Sequence, residues 1–194
     1  MTENNVAKVM DPCKVITGKD CRLSYAHVWE PASINGGNAR YSACVVIPKS
    51  DKGTVEKIRK AIDAAYHKDE SKLKGNGKSV PPLSSIKLPL RDGDLERPDD
   101  PAFAGMWFVN ANSDRAPGIV DRSANPILDR GEVYSGCYCR FSLSFFAFNS
   151  NGNRGVACGL NNLQKIRDGE PLGGRMSAET EFAGLDDDDE DFLA

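Results

Sequence analysis

Tyr138, Arg140, Phe146 and Phe148 fall at even positions of one continuous run, Cys137-Tyr138-Cys139-Arg140-Phe141-Ser142-Leu143-Ser144-Phe145-Phe146-Ala147-Phe148. Side chains alternate across a strand, so these four share one face with Ser142 and Ser144. The odd positions Cys137, Cys139, Phe141, Leu143, Phe145 and Ala147 are all apolar and face a core. Exposed rings stack on unpaired bases for roughly 1–3 kcal/mol each, while neighbouring cations follow the phosphates. A face combining three rings, a guanidinium and small hydroxyls therefore predicts binding of single-stranded nucleic acid. The competing reading is that an end of this face packs under a loop, a helix or a partner subunit, and it weighs most on Phe146 and Phe148.

Other rings and cations are weaker candidates for the same work. Strict alternation in the first long strand puts Leu23, Tyr25, His27 and Trp29 on one face and Arg22, Ser24, Ala26 and Val28 on the other. Tyr25 is then a stacking candidate, and Trp29, beside Pro31, is either a stacking ring or a plug for a barrel end. Trp107 alternates with Phe108, so one of the two is core and the other a candidate. Arg40, Arg115 and Arg154 are candidate phosphate-binding cations, although a solvated surface charge is the plainer reading of each.

Charge supports a polyanionic partner for the body of the chain. Net charge over 194 residues is −3, but residues 179–194 hold eight acids and no base. The preceding 178 residues carry all 25 Lys and Arg against 20 Asp and Glu. A basic body with an acidic end is the asymmetry expected where the end competes with a polyanion. The run Asp186-Asp187-Asp188-Asp189-Glu190-Asp191-Phe192 cannot pack into a core, because adjacent carboxylates repel and each would need a partner. Phe192 at its end has no solubilising use, so the segment reads as a hook for another protein.

Catalytic chemistry lacks raw material. Gly152-Asn153-Arg154-Gly155 has no Gly-Lys-Ser/Thr ending, and no Gly-x-Ser-x-Gly occurs. The only histidines are His27 and His67. Asp92, Asp94, Glu96, Asp99 and Asp100 superficially resemble a calcium loop, but Arg97 stands where the tight-turn glycine belongs and Phe103 where the last carboxylate belongs. Six cysteines without a Cys-x-x-Cys pair read as small buried thiols of a reducing cytoplasm rather than zinc ligands. The expectation is a protein that is not an enzyme and needs no cofactor or metal. No secretory signal and no membrane span are read from the sequence.

These residues must be positioned by strands. Cys21–Trp29 reads as a strand ended by Glu30-Pro31, and Arg40–Pro48 as a second. Val55, Ile58, Ile62 and Ala65 mark one face of a helix, capped by Ser50 or Thr54. Residues 68–102 read as loop-rich. Strands resume at 105–111 and 131–148, then turn at Asn149–Asn153 into a short strand, 154–160. The fold class predicted is all-β, a five-stranded OB-fold barrel with one inserted α-helix, placed between the third and fourth strands, with long loops. The expected domains are a flexible N-terminus (1–12), the OB-fold body (13–167) and a flexible, disordered acidic C-terminal tail (168–194).

The stretch from Trp107 to Phe182 resembles a phage-encoded family related to the single-stranded DNA-binding proteins of T-odd coliphages. The residues carrying the resemblance are Gly105–Ala111, Pro117–Asp121, Glu132–Tyr138, Phe145–Asn149, Gly155–Lys165 and the acidic-aromatic tail. It implies an OB-fold that binds single-stranded DNA without sequence preference and a tail that contacts DNA polymerase or helicase-primase. Leu193 and Ala194 follow Phe192, unlike the coliphage proteins, whose tails end on the aromatic. Docking would therefore rest on the ring and its adjacent acids. The expected role is replication or recombination of phage or prophage DNA in the host cytoplasm, with homodimerisation compatible. Strand annealing and a protein–protein adaptor that never meets DNA are the rival functions.

Overall fold

The alternation read in 137–148 governs the barrel wall. Cys137, Cys139, Phe141, Leu143, Phe145 and Ala147 are all buried, whereas Tyr138, Ser142, Ser144 and Phe148 are half-buried and Arg140 and Phe146 exposed. The computed structural model describes residues 10–33 and 36–173. The tail residues Asp186 to Phe192 lie outside the described residues, as does most of the N-terminal segment.

Among the described residues, strands and helices run in the order β1 (Lys14–Ile16), β2 (Arg22–Ala32), β3 (Arg40–Pro48), α1 (Lys52–Lys68), α2 (Glu70–Lys74), β4 (Leu90–Asp92), α3 (Gly93–Glu96), β5 (Met106–Ser113), β6 (Gly118–Val120), β7 (Tyr138–Ser150) and β8 (Asn153–Arg167). Five strands are long, and they close a ring: β7–β2–β3–β5–β8 and back to β7. Every contact in the ring is antiparallel except β5–β8, which is parallel. This is the all-β OB barrel expected, with β1, β4 and β6 as three-residue additions at its edges. No helix among the described residues is long and apolar enough to cross a membrane.

Inside the ring, Leu23, Val45, Ile47, Val109, Phe141, Leu143, Leu160 and Leu163 form the core. Each such side chain contributes roughly 1.5–3 kcal/mol on burial. Helix α1 covers one end with Val55, Ile58, Ile62 and Ala65, the face predicted. It follows the second of the five long strands rather than the third. Its cap is Asp51, not Ser50 or Thr54: the Asp51 carboxylate accepts from the Thr54 N–H at 3.1 Å and from its hydroxyl at 2.6 Å. Thr54 is buried and accepts a further bond from the Gly18 N–H at 2.9 Å, which ties the helix to the chain after β1.

Several boundaries differ from the sequence reading, each for a local reason. β2 continues through Pro31 to pair Ala32 with Arg40. Residues 130–132 form a 3₁₀ turn and Gly136 takes φ 123°, so the strand starts at Tyr138 instead of 131. β8 runs to Arg167, because the polar residues Asn162 and Gln164 are partnered by β6 and β7 rather than ending the strand, while Asn161 is bulged out of register and donates its side-chain N–H to Ser144. The Asn151-Gly152 turn has both residues at positive φ, 52° and 85°, the primed geometry that suits a two-residue hairpin. Beyond β8 the chain stays on the barrel, where Leu172 N–H donates to the Ser135 carbonyl at 2.9 Å.

Candidate nucleic-acid interface

The outer face of β3 and β5 is divided in two. Register pairs Val46 with Phe108, Cys44 with Asn110 and Ser42 with Asn112 on that face. Cys44, Val46 and Phe108 are buried under Phe103, whose ring meets Phe108 edge-on at 5.1 Å. The segment from α3 to Phe103 thus roofs one half. The other half, carrying Arg40, Ser42, Asn110 and Asn112, stays open as a cleft of about 910 Å³. Tyr25, His27, Arg97 and Asp114 line it, with Gly37 and Asn38 of the β2–β3 loop.

Tyr25 reaches this cleft because β2 is bulged. Ser24 pairs with Cys44 but His27 with Ser42, so β2 carries one residue more than β3 across that step. Tyr25 takes φ 45° at the extra step. A bulge re-aims side chains and breaks period two. The strict alternation that grouped Leu23, Tyr25, His27 and Trp29 is accordingly wrong here: Leu23 is fully buried, Tyr25 is 55% exposed, and Trp29 packs against the core.

Arg97 sits beside Tyr25. Its guanidinium carbon lies 5.6 Å from the Tyr25 ring centroid and 5.4 Å and 5.6 Å from those of Phe103 and Phe108. Its Nη1 donates to the Tyr25 hydroxyl at 3.3 Å. Among the described residues, the nearby acids Glu96, Asp92 and Asp94 are paired with Arg91 and Lys49, and no ion pair involves Arg97. Arg40 also borders the cleft, its Nε donating to Asp114 at 2.8 Å in an exposed pair. Such exposed pairs are weak.

The acids that mimic a calcium loop hold this edge in place. Lys49 Nζ donates to Asp92 and to Asp94, each at 2.7 Å. Asp92 also accepts from the Asp94 N–H at 3.0 Å, and Asp94 from the Gly105 N–H at 2.9 Å. The bonds to Asp92 and Asp94 raise the Lys49 pKa, and the bond from Lys49 holds both carboxyls below their ordinary values. Among the described residues, no group of three or more His, Cys, Asp or Glu is arranged to hold a metal ion. All six cysteines are buried and free. Burial pushes Cys21 and Cys44 up to about 12. Cys137, 3.6 Å from Cys139, is drawn down by that hydrogen bond.

Of the residues singled out in the sequence, the structure brings Tyr25 and Arg40 together in the cleft; Arg115, exposed, does not line it but follows the lining residue Asp114 in the chain. Tyr138 lies elsewhere, with the Arg167 guanidinium 3.9 Å and the Arg22 guanidinium 5.4 Å from its ring centroid. Trp29 does not line the cleft, and its indole N–H donates to the Val133 carbonyl at 3.0 Å. Trp107 is half-buried at the helix end, with Lys49 and Arg59 each 5.2 Å from its ring, while Phe108 is fully buried. Arg154 is half-buried and donates to the Leu73 carbonyl at 3.0 Å, tying β8 to α2. Arg140 and Phe146 are exposed and Phe148 half-buried on the outer face of β7. Sequence reasoning missed Arg97, Asn110 and Asn112. The two asparagines carried a signal, since Phe108, Asn110 and Asn112 alternate with Trp107, Val109 and Ala111.

An OB barrel presents this same strand face and its flanking loops to oligonucleotides. The family model described as "Enterobacter phage Enc34, ssDNA-binding protein" matches residues 13–193. The chain belongs to that family. A curated relative, putative protein p50 of Acyrthosiphon pisum secondary endosymbiont phage 1, is 31% identical over 172 residues, 84% of this chain and 90% of that protein. The Enc34 single-stranded DNA-binding protein, solved in complex with ssDNA, superposes with a TM-score of 0.68 at 25% identity, covering 82% of this chain and 88% of that one. T7 gp2.5, a phage single-stranded DNA-binding protein, shares the fold with a TM-score of 0.58 at 16% identity over 84% of this chain and 97% of its own.

Proposed function

We propose that the protein binds single-stranded DNA without sequence preference in the open half of the β3–β5 face, as part of phage DNA replication or recombination. The observation that carries this is the bulged, exposed Tyr25 held beside the Arg97 guanidinium over a polar floor. A base stacks on the ring, and phosphates meet Arg97, Arg40 and Arg115. Asn110, Asn112 and Ser42 offer amide and hydroxyl contacts that any base or sugar satisfies. Membership of a family named for ssDNA binding, and a relative solved with ssDNA bound, support the same ligand. The protein acts by binding and catalyses no reaction.

The acidic tail, with Asp186 to Asp191 and Phe192, is proposed to compete for this groove and, once displaced, to recruit a polymerase or helicase-primase in the host cytoplasm. Its origin supports that reading. Leu172 is bonded to the Ser135 carbonyl, and Ser135 Oγ accepts from the N–H of Ala26, which stands between Tyr25 and His27. The tail is thus tethered next to β2, the strand that carries Tyr25, and such tethering gives an effective concentration of about millimolar. Deleting residues 174–194 should tighten binding of an oligothymidylate at low salt. Weaker binding by the truncated chain, with its melting temperature unchanged, would overturn the competition.

A further inference from the structure

We propose that bound DNA runs on past the β3–β5 groove, across β8 and β7, to the exposed ring of Phe146, with Gly159 as the opening that lets it pass. The inference rests on the single-stranded DNA reading above. Directly opposed residues of neighbouring strands share a face. One outer row can be followed around the barrel by register: His27 faces Ser42, Ser42 faces Asn112, Asn112 faces Gly159, Gly159 faces Ser144, and Ser144 faces Lys14 of β1. Between the histidine and the lysine no side chain is larger than asparagine. With strands about 4.8 Å apart, the row spans roughly 24 Å of arc.

Gly159 is the informative member. A Cβ built there would meet Ser144 O, Phe146 Cε1 and Asn112 O at 3.6, 3.7 and 3.9 Å, which is ordinary contact. The fold thus accepts a Cβ at 159. Gly155, four residues earlier, is different, because a Cβ there would stand 2.3 Å from the Lys87 carbonyl oxygen. What Gly159 supplies is an unobstructed floor between the groove and Phe146. Phe146 is 45% exposed on the same face. Exposed Lys14 ends the row and suits the phosphates of a continuing strand. Asn161 donates to Ser144 Oγ at 2.8 Å, which keeps that hydroxyl down on the floor.

The test measures affinity for oligothymidylates of about 5 and about 12 nucleotides, lengths within the range of one OB fold. The full chain is compared with Gly159→Leu, Phe146→Ala, Tyr25→Ala and Arg97→Ala. The proposal expects Gly159→Leu and Phe146→Ala to shrink the ratio of long to short affinity by roughly 5- to 150-fold, the range for one lost stack. Phe146→Ala removes an exposed side chain, so it decides the matter if Gly159→Leu fails to fold. An unchanged ratio in the folded path variants, with Tyr25→Ala and Arg97→Ala weakened, overturns the extended path alone. Unchanged binding in every folded variant overturns the path and the groove together.

Discussion

The Arg97 guanidinium lies 5.6 Å from the Tyr25 ring centroid, and its Nη1 donates to the Tyr25 hydroxyl at 3.3 Å. The two residues come from unrelated devices, a bulge in β2 and the end of α3, 72 positions apart. Together they place a stacking ring and a planar cation at one edge of an open polar floor. An exposed cation–π contact of about 0.5–1 kcal/mol steadies the ring without covering it.

Replacing Tyr25 with alanine should weaken oligothymidylate binding by about 1–3 kcal/mol, measured by anisotropy, and leave thermal stability within about 0.5 kcal/mol. Arg97→Ala should weaken binding similarly and lower the salt slope by about 0.7, the value for one phosphate contact on a single strand. Arg97→Lys should keep the slope but not the affinity, since an ammonium lacks the planar fork that reaches the Tyr25 hydroxyl while facing the rings.

The edge that carries Arg97 depends on Lys49. Asp92 and Asp94 have folded-state values below 3.8, so their contribution is complete above that pH and is lost as pH falls through the lowered values. Lys49 is raised above 10.5, so its contribution is complete below that and is lost as pH rises through the raised value. Amide exchange across residues 92–97, taken as protection relative to the unfolded chain at the same pH, should therefore be even through the neutral range and lose protection in acid. Lys49→Met should accelerate it at pH 7 and reduce DNA affinity less than Arg97→Ala does.

Much of this was legible in sequence, and the exceptions have physical causes. Period-two burial in β7 and the 3.6-residue stripe of α1 are local patterns, and both survive in the structure. Tyr25 was found as a ring but assigned to the wrong face, because one inserted residue shifts everything after Ser24. Arg97 gave no signal. Its role depends on a loop folding back over Phe108, and the adjacent acids, rejected as a calcium loop, gave no sign that they would bind Lys49. The Tyr138 ring met cations, but they are Arg22 and Arg167 of its own chain.

Both tryptophans stand outside the groove. Saturating single-stranded DNA should accordingly quench only a minor part of the tryptophan emission, even where anisotropy reports full binding. Strong quenching that disappears in Trp107→Phe would move the ligand to the Lys49–Arg59 side of the barrel.

Fold and binding should separate under mutation. Phe141→Ala, fully buried in the barrel, should cost about 3–5 kcal/mol in denaturant titrations. Asp51→Ala should cost about 1 kcal/mol through the lost helix cap. Neither should alter DNA affinity under conditions where the variant remains folded.

Photo-crosslinking an oligothymidylate to the full chain, followed by peptide mapping, tests the central claim most directly. The predicted result is crosslinking at Tyr25 in β2, reduced there by Arg97→Ala at subsaturating protein and abolished by excess unlabelled oligothymidylate. Crosslinks confined to Tyr138 or Trp107, with none in β2, would contradict it.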